Sequence, residues 1–452
     1  MKEKETQVSV EAVRCSYLDF ERLAHMFSEK IRKEGLLNEM RSDDSLARTL
    51  FLCVLVNLLP VVFASSFVKG FHRTSLYSIV VGAAFATQCL ILLRFFFERN
   101  GLKVTRRILV AWVFSVPYLL TLLMSALSRG ILNPFDLINV AARFISVSLL
   151  YVFPYEFSFS ENGLKRFMTR IVVLACIASV YNTAINFRGI LNIRYIASPY
   201  EVRFSSFFLN RNSFGQFLLF GMMANSLLWM KVPSARRWLV ATYVLFAVNL
   251  FATLSRTAML SCLVFFSVFS FGKSRKKAIY LFVVLMASVT LILLVEITQF
   301  RSEFIRNIVL RLDVGTTGRT SIWREGLEIL SKTSWVFGTG YLLGRQFLVS
   351  GTQFHSFLIE ALVGGGLVEL IILFTFLMLL IMGVLRNLKG FDRDACVFYS
   401  AAYAAFLCYS VFESPSFFSL GFVDTVFTVF FVTVPLVYSR RVPRSESVSG
   451  CV

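Results

Sequence analysis

The chain has 452 residues, 56% of them apolar, with 49 phenylalanines and a mean hydropathy of +0.69. A water-soluble core cannot hide that much apolar surface, so the composition excludes a string of soluble domains and favours one polytopic membrane domain. The formal net charge of +19 does not indicate nucleic acid, because Lys and Arg fall in short clusters between apolar runs, where they act as topology signals.

Residues 1–45 are mixed in charge, and Phe20, Leu23, Phe27 and Ile31 recur at helical spacing. This predicts a cytoplasmic amphipathic arm on the membrane surface, with partner binding as the alternative. The first apolar run begins near Leu46, too far in for a cleavable signal peptide. Each crossing of the hydrocarbon needs about 20 residues. Twelve segments qualify: 47–68, 75–97, 108–128, 132–153, 168–187, 212–230, 237–254, 257–272, 278–297, 356–386, 396–412 and 420–438. The expectation is an all-α integral membrane protein, with a polytopic domain over 46–438, a long extracytoplasmic loop at 298–355 and a cytoplasmic tail at 439–452. The run 356–386 is too long for one straight span, and "GGG" at 364–366 supplies the backbone freedom to break it. The run 237–272 is interrupted only by "LSR" at 254–256 and reads as two short spans; as one span it would move every later loop to the other side.

With the N-terminus inside, inward loops hold Arg99, Lys103, Arg106 and Arg107, then Lys165, Arg166 and Arg170, then Lys231, Arg236 and Arg237. Lys273, Arg275, Lys276 and Lys277, Arg386, Lys389 and Arg393, and the tail's Arg440, Arg441 and Arg444 follow the same rule. Both termini are expected in the cytoplasm. Of eight cysteines, Cys53, Cys89, Cys176, Cys262 and Cys408 lie in apolar runs, Cys396 at a span edge, and Cys15 and Cys451 in the tails. No CxxC pair or disulfide spacing appears, so neither a metal site nor a stapled outer domain is expected.

On this topology several polar residues fall at the outer face. "EVRFSSFFLNRNSFG" (201–215) brings Arg203, Asn210, Arg211 and Asn212 to one end of a span, and "LSRTAML" (254–260) puts Arg256 in a turn too short to be a solvated loop. Arg319 opens a predicted helix capped by Thr320 or Ser321, and "GTGY" (338–341) makes a tight turn before His355. Charges at membrane depth are costly and line cavities or bind ligands, and guanidinium forks suit phosphate oxygens. Each has a plain alternative: Arg203 and Arg211 as interface anchors, Arg319 as a surface residue at a helix start, His355 as a passive interfacial residue. Trp323 and Trp335 read as interface anchors.

An Arg followed by Asn-x-Asn at a span start, Ser-Arg in a tight outer turn, Gly-Arg…Trp in a long outer loop, Gly-x-Gly, and then His before a glycine-rich helix together resemble the bacterial O-antigen ligase/polymerase family over 203–375. Two positions depart from its pattern: Ser206 stands where the family usually has glycine, and Ser356 where Asn commonly follows the His.

The resemblance implies metal-independent, inverting, cofactor-free glycosyl transfer outside the inner membrane, in O-antigen or capsule assembly. The donor would be a glycan on undecaprenyl diphosphate and the acceptor a glycan or lipid A core, with membrane lipid and a chain-length regulator as further partners and no nucleic acid. Arg203, Arg256 and Arg319 would match the diphosphate-binding arginines, stabilising the leaving group, with Arg256 counted as catalytic. His355 would match the essential histidine at the acceptor hydroxyl; an ordinary imidazole, with a pKa of about 6.5, can take a proton at neutral pH. Arg211, Asn212 and Glu413 are lesser candidates, Glu413 for orienting the histidine or the acceptor. The outer segments show no DxD or DDxxD cluster for a divalent cation. Repeat-unit polymerase is slightly preferred to ligase, and a transporter of an anionic lipid or solute is the reading of a different class.

Overall fold

The computed structural model describes residues 41–42, 44–66, 75–100, 104–127, 134–191, 204–274, 319–339, 354–415 and 417–440. They form a helical bundle: α1 (Asp44–Ser66), α2 (Ser75–Asn100), α3 (Arg106–Leu127), α4 (Pro134–Val147), α5 (Glu161–Ile185), α6 (Arg211–Lys231), α7 (Arg236–Thr253), α8 (Arg256–Lys273), α9 (Arg319–Lys332), α10 (Phe357–Phe391), α11 (Arg393–Phe412), α12 (Phe422–Thr428) and α13 (Val434–Ser439). A π-helical stretch, Ser148–Val152, and a 3₁₀ turn, Phe153–Glu156, prolong α4, and a second π-helical stretch, Val429–Thr433, joins α12 to α13. Among the described residues the only strand pairing is a two-residue parallel bridge of Arg41–Ser42 with Phe157–Ser158.

Eight helices among the described residues are long and apolar enough to cross a membrane. The expected spans 212–230, 237–254 and 257–272 are covered by α6, α7 and α8, which are not among the eight. For α6 the reason is its position. Every residue from Phe214 to Leu228 is buried, so Gln216, Asn225 and Ser226 face protein, and a helix wrapped by other helices need not match lipid. Asn225 donates to the Leu239 carbonyl of α7 at 2.9 Å. The expected span 278–297 lies outside the described residues, as do most of the N-terminal arm, the tail and the loop 298–355.

The interrupted run 237–272 folds as two helices. Leu254, at φ 49°, ends α7, and α8 starts two residues later. The expected span 168–187 needs correction at its start: Ser160 caps α5 by accepting from the Gly163 N–H at 3.0 Å. Lys165, Arg166 and Arg170 therefore sit inside the helix and not in a loop.

The helices alternate between two ends. At one end Lys231, closing α6, pairs with Asp392 between α10 and α11 at 2.8 Å, and Lys273, closing α8, pairs with Asp394. The opposite end carries the starts of α6, α8, α9 and α10 and the close of α11. The 21 residues of α6 separate the two by about 31 Å at 1.5 Å per residue.

The glycine break in α10 is real, and its exact site is Gly366, at φ 74°, ψ −170°. A turn after α9 fills the gap. Trp335 and Val336 carbonyls accept from the Leu367 and Val368 N–H groups at 2.9 and 3.3 Å, and the Thr339 N–H donates to the Val363 carbonyl at 2.7 Å. The backbone groups that a break would orphan are thus satisfied by another segment. Gly338, at φ 67°, lies so close that a Cβ there would meet the Gly364 carbonyl oxygen at 2.6 Å, which explains the glycine of "GTGY".

Candidate functional site

The start of α6 is fixed by Asn210, whose side-chain oxygen accepts from the Ser213 N–H at 2.8 Å. Asn210 is therefore a helix cap, not a site group. Arg211 follows, half-buried, and Asn212 points into the bundle end. The approach to this helix passes through Ser206, at φ 52°, a left-handed conformation that glycine adopts most easily. Two bonds hold Ser206 there: its N–H donates to Asn182 Oδ1 at 3.1 Å and its hydroxyl to the Ala178 carbonyl at 2.7 Å. Asn182 in turn donates to Asn249 Oδ1 at 2.8 Å, tying α5 to α7.

The turn before α8 packs directly on α6. A Cβ at Gly215 would fall 2.8 Å from Ser255 Cβ, so glycine is what lets the two approach. Arg256 is the first residue of α8 and half-buried. Its neighbour Thr257 accepts from Arg319 Nη1 at 3.2 Å, which brings the start of α9 against the start of α8. Thr320 and Ser321 lie within α9 and not before it.

Glu413 is the centre of the arrangement. One carboxylate oxygen accepts from Arg319 Nη2 at 2.7 Å and from Asn212 Nδ2 at 3.2 Å, and the other stands 3.4 Å from His355 Nδ1. Side-chain exposure falls from 31% at His355 to 15% at Arg319 and 12% at Glu413, so the imidazole is the member that faces outward. Partial burial strengthens the ion pair relative to an exposed one. Glu413 also ends α11, and its carbonyl accepts from the Phe357 N–H at 3.0 Å, locking the close of α11 to the start of α10.

His355 itself has φ 51°. His tolerates this region better than most residues, and such strain persists only where the surroundings hold it. Here they do: Trp323 Nε1 donates to the Phe354 carbonyl at 2.8 Å, and the Ser356 N–H donates to Ser414 Oγ at 2.8 Å. The Phe354 N–H reaches Glu360 Oε2 at 3.4 Å.

The structure therefore brings His355, Arg319, Asn212 and Glu413 together, with Arg256 joined through Thr257. Arg203 lies outside the described residues. Trp323 is not a simple interface anchor, because its indole N–H is spent on the backbone before His355. Sequence reasoning missed that clamp and Glu360, since nothing in the chain links residue 323 or 360 to 354. Glu413 was legible only as a lone acid in a short outer loop. Among the described residues no three His, Cys, Asp or Glu side chains converge as a metal cage; the Glu413 carboxylate takes its cationic partner from Arg319.

Comparison with known proteins bears on this same region. A family profile described as O-antigen ligase matches residues 241–374, which takes in α7, α8, α9 and the first half of α10, and with them Arg256, Arg319 and His355. The exopolysaccharide production protein ExoQ of Rhizobium meliloti (strain 1021) is 35% identical over 97 residues, covering 18% of this chain and 22% of ExoQ. The chain thus matches about a fifth of that relative's length. Over 241–374 the chain is thus similar to the O-antigen ligase family, and eight of its described helices are long and apolar enough to cross a membrane.

Proposed function

We propose that the chain transfers a glycan from a lipid diphosphate to a sugar hydroxyl in surface-polysaccharide assembly, at the bundle end where Glu413 gathers Arg319, Asn212 and His355. That convergence, from four elements distant in sequence, is the observation that carries the reading. Arg256 and Arg319, and Arg203 on the motif alone, bind the diphosphate. Preorganised cations there stabilise the charge that grows on the leaving group. The acceptor oxygen attacks the anomeric carbon from the face opposite the diphosphate. The new C–O bond forms as the bond to the diphosphate oxygen breaks, inverting the centre, and the hydroxyl proton passes to the outward-facing His355. Glu413 holds that imidazole by Nδ1, leaving Nε2 as the proton acceptor.

The reacting end faces away from the cytoplasm, in a bacterial inner membrane. The support is the charge pattern: Lys231, Arg236, Arg237 and Lys273 close or open helices at the other end. Undecaprenyl diphosphate is the donor lipid, and extension of a repeat-unit polymer is preferred to transfer onto lipid A core.

The test is complementation of a host lacking its own copy, with His355→Ala and Arg256→Ala, read as a glycan ladder. Loss of long chains with single repeats still on the core indicates a polymerase; lipid-linked polymer with bare core indicates a ligase. An unchanged ladder from either folded variant removes the catalytic assignment, and substrate trapped on the cytoplasmic side would instead favour transport.

A further inference from the structure

The far end of the bundle holds a cavity that the reaction above does not use. It has a volume of about 260 Å³ and lies between α3 and α10, floored by the 3₁₀ extension of α4 and by α13. One water needs only about 10–15 Å³ of such space. Its walls are largely apolar and aromatic, including Phe114, Tyr151 and Phe376, with Tyr151 and Phe376 packed edge to face at 5.1 Å. Bulk water is a poor filling for such a space.

Besides the tyrosines Tyr151 and Tyr155, the polar residues of its lining are Asn387, Ser439 and Arg440. Arg440 directly follows α13 and is fixed from one side. Its Nη1 donates to the Tyr155 carbonyl at 2.6 Å, and the guanidinium lies over the Tyr155 ring, 3.0 Å from its centroid. Its Nε is buried with no hydrogen-bond acceptor among the described residues. Burial pushes the Arg440 pKa down to about 10, which still leaves a cation at neutral pH, and Arg107, another cation, pushes it the same way. No described carboxylate pairs with Arg440.

The apolar side opens towards the hydrocarbon. Phe114 and Leu379, both on the lining, are about half exposed on the bundle surface. Gly383 keeps the space clear, because a Cβ there would meet nothing within 4 Å. The two π-helical stretches meet beside it, with Thr433 Oγ1 bonded to the Leu150 carbonyl at 2.6 Å, and such bulges recur at functional sites.

We infer that this cavity binds an anionic phospholipid of the leaflet at the Lys231–Asp392 end, its phosphate on Arg440 and Asn387 and an acyl chain along Phe114, Phe376 and Gly383. An unmatched buried cation beside an apolar slot open to lipid fits that amphiphile and no free ion of the same charge. The inference is independent of the glycan-transfer reading, since it uses none of those residues.

Native mass spectrometry of the full chain in detergent, loaded with dioleoyl phosphatidylglycerol or dioleoyl phosphatidylcholine, tests it. The expected result is one retained phosphatidylglycerol per chain, bound at least about tenfold more tightly than phosphatidylcholine, whose choline cation cancels the phosphate charge and is repelled by Arg440. Arg440→Gln should remove that preference. Gly383→Leu should lower retention of both lipids while leaving thermal stability unchanged or raised, since leucine favours helix and its Cβ meets open space. Equal retention of the two lipids by the wild type, wild-type retention by a folded Gly383→Leu, or displacement by millimolar inorganic phosphate would overturn the assignment.

Discussion

Replacing Glu413 with Gln keeps the size of the side chain and removes only its charge. Arg319 then loses its ionic partner, at 2.7 Å, while both groups remain mostly shielded. Severing a fully buried pair costs about 3–5 kcal/mol, and an exposed one contributes about 0–1. At 15% and 12% exposure the cost to stability is about 2 kcal/mol. The effect on rate is larger, because the amide no longer prefers a protonated Nδ1 and the imidazole loses its set orientation. Removing an orienting carboxylate of this kind costs up to about 10⁴-fold in a tight triad; with 3.4 Å between Nδ1 and Oε2, about 10- to 100-fold in kcat is expected. KM should change less, since Arg256, one of the arginines proposed to bind the diphosphate, keeps its place and Arg319 keeps its bond to Thr257. The assay is glycan transfer by purified protein in proteoliposomes supplied with lipid-linked glycan, alongside Glu413→Asp, which retains the charge and should fall between. A folded Glu413→Gln protein with wild-type kcat would refute the role given to this carboxylate.

Three further outcomes follow from the geometry. Gly366→Ala should destabilise by about 2 kcal/mol or more, measured by thermal unfolding, because φ is 74° and the new Cβ would clash with the Val336 carbonyl oxygen. Ser206→Gly should be within about 1 kcal/mol of wild type, relief of the left-handed strain offsetting the lost hydroxyl bond to Ala178, whereas Ser206→Val should unfold the protein at lower temperature. Asp392→Asn should cost about 3 kcal/mol at neutral pH, since it leaves the largely shielded Lys231 unpaired. Burial raises the Asp392 pKa, but hydrogen bonds from Lys231, Tyr438 and the Ala395 N–H outweigh it and hold the group below its ordinary value. Its contribution is therefore present above the unfolded-state pKa and lost as pH falls through the folded one. The difference between wild type and Asp392→Asn should shrink on acidification, and a difference that persists unchanged below pH 3 would be against the pairing.

Much of the helical architecture was legible because lipid imposes a length and polarity rule on each crossing. The split at Leu254 and the break at Gly366 were also visible, from "LSR" and "GGG". The start of α5 was misjudged because hydropathy sees Lys165, Arg166 and Arg170 as loop, whereas the cap at Ser160 fixes the helix. At the candidate site the sequence offered residue types and order. It could not offer Glu413 as the hub, because that role depends on α11 ending where α6, α9 and α10 begin. Nor could it show why Ser206 replaces glycine: the permission comes from Asn182 and Ala178, more than twenty residues away.

The interruption at Gly366 divides one 35-residue helix into two mechanical pieces. The piece that bears His355 is stitched to α9 and its following turn, while the remainder is packed into the membrane bundle. The short piece is thereby held between α9 on one side and the close of α11 on the other, where the Phe357 N–H meets the Glu413 carbonyl and the Ser356 N–H meets Ser414 Oγ. Substitutions on α9 or at the close of α11 can therefore shift His355 while the packing of the crossing half of α10 is kept.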